Sequence, residues 1–223
     1  MIDKVPFDVY DFFGYLASGL LILLSMEMVL GFPHVLGQDL TVVDTAALIL
    51  GAYVAGQCVA APARLVLEDG LVDKVLKRPS VNLFRNKRPL VRRVLAPGYY
   101  QQLPEDRRKK VGDRAKDEGV QGTGEELFLH VRYSDEIRGN PTAMGRLDNF
   151  LAKYGFARNL GFTALLVGTA MLADSLLTDG PNPELSQYGV TALVAGLFLV
   201  NRYLKFFRQY SYEMFNTYAK GKA

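Results

Sequence analysis

The chain has 223 residues, of which 49% are hydrophobic and 22% are charged, and its net charge at pH 7 is only +3. This much apolar sequence excludes a disordered chain. The single cysteine, Cys58, excludes an intrachain disulfide framework, and with only two histidines a Cys/His zinc site has no support.

Four long apolar stretches follow one another along the chain, at residues 12–32, 42–67, 160–177 and 188–204. Each is close to the roughly 20 residues that a helix needs to cross a bilayer. A helix on the surface of a soluble protein would carry polar residues along one face, whereas these stretches are apolar on every face. The sequence therefore predicts a mainly α-helical protein with four transmembrane helices.

The first apolar stretch could instead be a secretory signal peptide. Its leader carries Asp3, Asp8 and Asp11 beside a single base, Lys4, and no small-x-small cleavage site follows it. Signal peptides have a basic leader and such a site. The first stretch is therefore predicted to be a transmembrane helix.

The basic residues are distributed unevenly, and this predicts the topology. Twenty of the 26 Lys and Arg residues lie between Arg64 and Arg158, and the connections 33–41 and 178–187 contain none. Positive charge is retained on the cytoplasmic side of membranes. Both termini and the middle region are thus predicted to face the cytoplasm, in a multi-pass protein of the inner membrane.

The predicted organisation has four parts. They are a leader with a first transmembrane hairpin (1–67), a basic and largely helical cytoplasmic domain (68–157), a second hairpin (158–204) and an amphipathic tail (205–223). The tail's regularly spaced aromatic residues suit either the membrane interface or packing against the cytoplasmic domain.

The cytoplasmic domain is predicted to contain three helices and a short β segment. Residues 81–95 alternate enough for one or two strands. Helices are expected from Pro104 to before Gly119, over residues 125–138, and from Thr142 into the third span, with Asn140 as a cap.

Enzymatic chemistry is not indicated. The glycine-rich stretch 119–124 has no lysine after it, which a phosphate-binding loop requires. No catalytic residue, metal site or cofactor is predicted.

Three acidic residues in or beside the spans are the first candidate site: Glu27, Asp44 and Asp174. A charged residue inside a span costs roughly 2.5–3.5 kcal/mol on insertion scales, so it tends to face protein or water. The predicted topology places all three at the outer side, where they could attract cations to a pore. Alternatively, Asp44 and Asp174 are helix-end residues in the headgroup layer, with Asp44 acting as a cap.

A basic segment with interspersed aromatic residues is the second candidate site. Its members are Arg85, Lys87, Arg88, Arg92, Arg93, Tyr99, Tyr100, Arg107, Arg108, Lys109 and Lys110. Bases can neutralise phosphates while aromatic rings stack on nucleobases, so a nucleotide or single-stranded oligonucleotide would suit this pattern. Basic loops beside a membrane also bind anionic lipid, and this alternative remains open.

The plan of four spans around a basic middle region resembles the small membrane effectors of bacterial anti-phage defence. It is closest to the channel effector of the Hailong system, and the resemblance covers the whole chain in plan without a diagnostic motif. It implies a tetrameric channel that depolarises the cell. It also implies a cytoplasmic oligonucleotide ligand made by a partner nucleotidyltransferase.

The function predicted from these observations is that of an oligomeric membrane effector with a gated cation pathway, controlled by an anionic ligand on its cytoplasmic domain. The alternative is a pore-free, membrane-anchored scaffold whose basic domain binds a partner protein or anionic lipid.

Overall fold

The computed structural model describes residues 9–31, 40–85, 98–120, 124–177 and 182–221. These residues are 86% helical and include no strand. In chain order, their helices are α1 (Val9–Leu30), α2 (Val42–Arg64), a π-helix (Leu65–Leu76), α3 (Pro79–Asn82), α4 (Glu105–Asp117), α5 (Glu125–Tyr133), α6 (Asp135–Arg138), α7 (Pro141–Leu177) and α8 (Pro183–Tyr218).

Four helical segments are long and apolar enough to cross a membrane, which confirms the prediction of four spans at the level of length and composition. They are Phe12–Leu30, Val42–Asn82, Pro141–Leu177 and Pro183–Tyr218. The last three extend beyond the apolar stretches seen in the sequence. The chain divides into two compact units: unit 1 comprises residues 1–69 and 155–203, and unit 2 comprises residues 70–154 and 204–223.

In unit 1, glycines let helix backbones approach closely. A Cβ added to Gly19 would lie 1.6 Å from the carbonyl oxygen of Ala52, and one added to Gly56 would lie 1.9 Å from that of Tyr15. These contacts run α1 antiparallel to α2. Small residues at a crossing permit the packing that holds helices together where lipid weakens the hydrophobic effect.

Close packing at glycines also joins α7 to α8 in unit 1. A Cβ on Gly168 would lie 2.8 Å from the carbonyl oxygen of Gly189, and one on Gly196 would lie 2.8 Å from Cγ of Leu165. Both helical hairpins of unit 1 are therefore packed through glycine.

Unit 2 is built around a conventional apolar core. Phe215 is fully buried, and its ring centroid lies 4.9 Å from that of Phe84 and 6.1 Å from that of Phe128. Other buried members come from several helices: Leu83, Leu103, Val111, Ala115, Leu127, Val131, Ile137, Leu147, Tyr210, Met214 and Tyr218. The aromatic residues of the tail thus belong to α8 and pack inside unit 2.

Three local predictions are confirmed. Pro104 precedes α4, whose first turn contains Glu105 and Asp106, and α4 ends at Asp117, before Gly119. The helix expected from Thr142 begins at Pro141 and continues through the third apolar stretch. Asn140 caps it, because the Asn140 side-chain oxygen accepts the backbone N–H of Ala143 at 3.0 Å.

Two other predictions are wrong. Residues 81 and 82 end helix α3 and are followed by a turn, so the described part of the predicted β segment is not a strand; residues 86–95 lie outside the described residues. The helix expected over 125–138 is broken at Ser134, whose φ of −66° and ψ of 150° are extended. Beyond the second apolar stretch, the π-helix continues the helical structure to Leu76.

Candidate functional site

The acidic candidates lie at one end of unit 1. The register set by the Gly19 and Gly56 contacts, extended along the α1–α2 hairpin, puts Glu27 level with Asp44. An apolar cluster of Val167, Met171 and Leu185, with Val29 packed against it, joins the end of α1 to the end of α7 and the start of α8. The ends of α1 and α7 that carry Glu27 and Asp174 are therefore neighbours.

Asp44 has a structural role at the start of α2. The backbone N–H of Thr41 donates to Oδ2 of Asp44 at 3.1 Å, and the Thr41 hydroxyl donates to the same oxygen at 2.6 Å. In return, the backbone N–H of Asp44 donates to Oγ1 of Thr41 at 3.2 Å. This reciprocal capping box satisfies donors that the helix cannot satisfy itself, and the N-terminal end of a helix favours negative charge.

Glu27 and Asp174, unlike Asp44, do not lie at the start of a helix and so do not cap one. Each lies in the last turn of its helix, α1 ending at Leu30 and α7 at Leu177. The C-terminal end of a helix carries partial negative charge, so a carboxylate there is disfavoured by roughly 0.3–1 kcal/mol. Glu27 and Asp174 are thus two half-buried acids at adjacent helix ends, and both oppose the helix dipole.

One further acid at this end was missed by the sequence reasoning. Glu184 is exposed in the first turn of α8 and directly precedes Leu185 of the apolar cluster. The sequence feature that could have identified Glu184 is its position after a proline-containing connection, because the N-terminus of a helix favours an acidic residue.

The basic candidates are only partly within the described residues. Lys87, Arg88, Arg92 and Arg93 lie outside them. The backbone carbonyl of Arg85 accepts a hydrogen bond from the Gln102 side chain. Tyr99 and Tyr100 are buried, and their hydroxyls donate to the backbone carbonyls of Lys77 and Leu76 at 2.8 and 3.2 Å. Burial also raises the pKa of Tyr99. Both tyrosines thus have packing roles in this structure.

The remaining basic candidates are on the first turns of α4. Lys109 and Lys110 are exposed, whereas Arg107 and Arg108 are half-buried. Nε of Arg107 lies 3.7 Å from a carboxylate oxygen of Asp106. The two lysines are the members of this group best placed to meet an anion in solution.

An ion pair in unit 1 was also missed. Arg158 of α7 donates to Oε1 of Glu68 in the π-helix, and its Nε donates to the Asn159 side chain at 3.1 Å. The side chains of Arg158 and Glu68 are 14% and 18% exposed. Ninety residues separate the two partners, and no pattern local to either residue points to the other.

A polar network in unit 2 holds the end of α8. Glu118 accepts hydrogen bonds from Nε of Arg114 at 2.8 Å and from the Tyr218 hydroxyl at 2.8 Å, and its Oε2 lies 2.6 Å from Nε2 of His130. Partial burial would raise the pKa of Glu118, but the hydrogen bonds from Arg114, His130 and Tyr218 outweigh it and lower that pKa to about 2. The guanidinium of Arg114 also lies 4.5 Å from the Tyr218 ring centroid.

The described residues contain no group of three or more His, Cys, Asp or Glu side chains that could hold a metal ion. No family model, no curated protein and no solved structure matches the chain. Its function is therefore inferred from its own residues.

Proposed function

We propose that the chain is an oligomeric membrane effector that forms a gated cation pathway, opened or closed by an anionic nucleotide or oligonucleotide on a basic cytoplasmic domain. In this proposal the protein serves anti-phage defence by depolarising the inner membrane, and both of its termini are cytoplasmic. Unit 2 supplies the ligand-binding domain, and unit 1 supplies the spans.

The observation that carries the proposal is the placement of Glu27 and Asp174. Both acids stand at neighbouring C-terminal helix ends in unit 1, where the helix dipole disfavours them. Ionisable residues at spans usually mark ion or substrate paths, because their cost is tolerated only where they serve a purpose. Rings of carboxylates select cations in channels, and symmetric association of several copies would produce such a ring.

Ligand control is supported by the charge distribution. The excess of Lys and Arg between the second and third apolar stretches provides an anion-attracting surface, and Lys109 and Lys110 are exposed members of it. A ligand can gate a pathway only by binding one state more tightly than the other. Changing the ratio of the two states from 1:99 to 99:1 would need about 10⁴-fold tighter binding to the favoured state.

The proposal is tested by membrane potential in bacteria that express the chain. Cells carrying the wild-type chain should depolarise, as reported by a potential-sensitive dye. The double variant Glu27→Gln with Asp174→Asn should depolarise them at least several-fold more slowly at equal expression. Asp44→Asn is the matched control, since it removes an acid at the same end but leaves an oxygen that can cap α2, and it should behave like wild type.

The scaffold alternative is favoured by a different observation: several bases of unit 2 are used within the fold. Arg78 pairs with Asp73 and Glu125, and Arg146 pairs with Glu213. In a scaffold, neither the acidic double variant nor wild type would change membrane potential, whereas binding of a partner or of anionic vesicles would still depend on the exposed bases.

A further inference from the structure

A small pocket in unit 2 is separate from the basic segment identified in the sequence. It has a volume of about 190 Å³ and is formed by the ends of α5 and α6 together with one face of α7 and one of α8. Its polar lining residues are Arg132, Tyr133 and Arg138 of α5 and α6 and Asp148 of α7.

The pocket exists because the chain turns sharply at Ser134. Its extended backbone ends α5 at Tyr133 and lets α6 begin at Asp135, and its hydroxyl donates to the carbonyl of Val131 at 2.9 Å. A continuous helix over 125–138 would carry Arg132 and Arg138 nearly two turns apart on different faces. The break brings both arginines to one pocket.

The floor of the pocket is apolar. Ile137, Leu147 and Met214 are each 3% exposed or less, and Tyr210 lies beside them. Pockets that hold drug-sized ligands have volumes of about 300–1,000 Å³, so this smaller pocket has room for a single ring system rather than a complete large ligand.

The rim of the pocket carries two arginines, one of which stacks on a tyrosine ring. The guanidinium of Arg138 lies over the Tyr133 ring, 4.4 Å from its centroid. Within the part of the chain that the structure describes, neither Arg132 nor Arg138 forms a salt bridge. Basic residues near helix C-termini are favoured by the helix dipole, but the dipole does not account for two arginines meeting at one apolar pocket.

These features together match one ligand class. A planar base fits the apolar floor, a stacked arginine and tyrosine provide a surface for base stacking, and guanidinium groups bind phosphate with paired donors. The carboxylate of Asp148 can accept a hydrogen bond from an exocyclic amine of the base. We propose that this pocket binds a nucleoside phosphate, with the base on the apolar floor and the phosphate between Arg132 and Arg138.

This inference rests on the proposed function for its ligand class, and it relocates the base-recognising site from Tyr99 and Tyr100 to Tyr133 and Arg138. It concerns binding alone, so it can fail while the cation pathway stands, and the converse also holds.

The test is calorimetric titration of the purified full-length chain in detergent with the common nucleoside 5′-monophosphates, at low and at physiological salt. At least one should bind, and Arg132→Gln or Arg138→Gln should each weaken binding about tenfold or more, because each removes a charge-assisted contact to phosphate. Leu151→Trp, which places a ring at the pocket's partly exposed edge, should also weaken it. Lys116→Gln removes an exposed positive charge outside the pocket and should bind like wild type.

Thermal melting of each variant checks that it is folded. Inorganic phosphate and the unphosphorylated nucleoside, titrated separately, should each bind more weakly than the nucleotide, because each meets only half of the site. Equal affinity in Arg138→Gln and wild type would overturn the proposal, as would phosphate binding as tightly as the nucleotide. Loss of binding in a Lys109→Gln, Lys110→Gln variant but not in the arginine variants would place the ligand on α4 and also overturn it. An absence of binding by every nucleotide tested would equally overturn it.

Discussion

The close crossing of α1 and α2 makes a sharp prediction about Gly56. Replacing it with alanine puts a Cβ where the carbonyl oxygen, carbonyl carbon and Cα of Tyr15 would lie at 1.9, 2.6 and 2.9 Å. A real Cβ atom essentially never lies within 3.0 Å of a heavy atom to which it is not bonded or adjacent in the chain. Since all three obstacles are backbone atoms, no side chain can rotate away, and the two helices must separate.

The magnitude follows from that geometry. Relieving the shortest contact requires a separation of about 1 Å along most of the crossing, and overpacking of this kind costs about 1–3 kcal/mol, occasionally more. We expect Gly56→Ala to lie at the upper end of that range. Equilibrium unfolding in mixed detergent–SDS micelles, followed by circular dichroism, measures the change in free energy.

Gly51 provides the matched control on the same helix. A Cβ added there meets no atom within 4 Å, and alanine has a helix propensity up to about 1 kcal/mol better than glycine. Gly51→Ala should therefore be at least as stable as wild type. If Gly56→Ala and Gly51→Ala were equally stable, the close approach of α1 to α2 would be refuted.

Three further predictions concern polar contacts. The pKa of Glu118 is lowered to about 2 from its ordinary 4.5, so its contribution to stability is complete above pH 4.5 and is lost as pH falls toward 2. Over that range the melting temperature of wild type should fall more steeply than that of Glu118→Gln. Parallel curves of melting temperature against pH would contradict this. Arg158→Gln removes the cation paired with the half-buried Glu68 carboxylate and should cost about 1.5–3 kcal/mol. The double variant Arg158→Met, Glu68→Leu should recover most of that loss, and strictly additive losses in a double-mutant cycle would contradict the pairing. Thr41→Val removes the capping box and should cost about 0.5–2 kcal/mol in the same unfolding assay, and an unchanged stability would argue against the cap.

The parts of the fold that could be predicted from sequence are those that depend on local composition. Apolar stretches near 20 residues identify transmembrane helices without any knowledge of their partners. The start of α4 after Pro104 and the cap at Asn140 follow from the same local chemistry. These features need only neighbouring residues.

The features that escaped prediction depend on distant residues or on a single backbone angle. Ser134 followed by Asp135 and Glu136 is the residue pattern of a helix start, but that pattern alone does not show that α5 ends at Tyr133 rather than continuing. From the sequence, Tyr99 and Tyr100 are predicted to be available for stacking beside basic residues. Both are in fact buried, and their hydroxyls bond to carbonyls more than 20 positions away. For the candidate site, the three acids could be named from sequence. Only the observed helix ends show that Asp44 caps the start of α2, whereas Glu27 and Asp174 lie in the last turns of α1 and α7.

The most direct test of the cation pathway is the current carried by the purified chain in planar lipid bilayers. We expect discrete, cation-selective currents with the chain alone or with a nucleotide ligand. The reversal potential should shift toward that of a non-selective pathway when Glu27→Gln and Asp174→Asn are combined. A correctly folded, inserted chain that carries no current in either condition would contradict it.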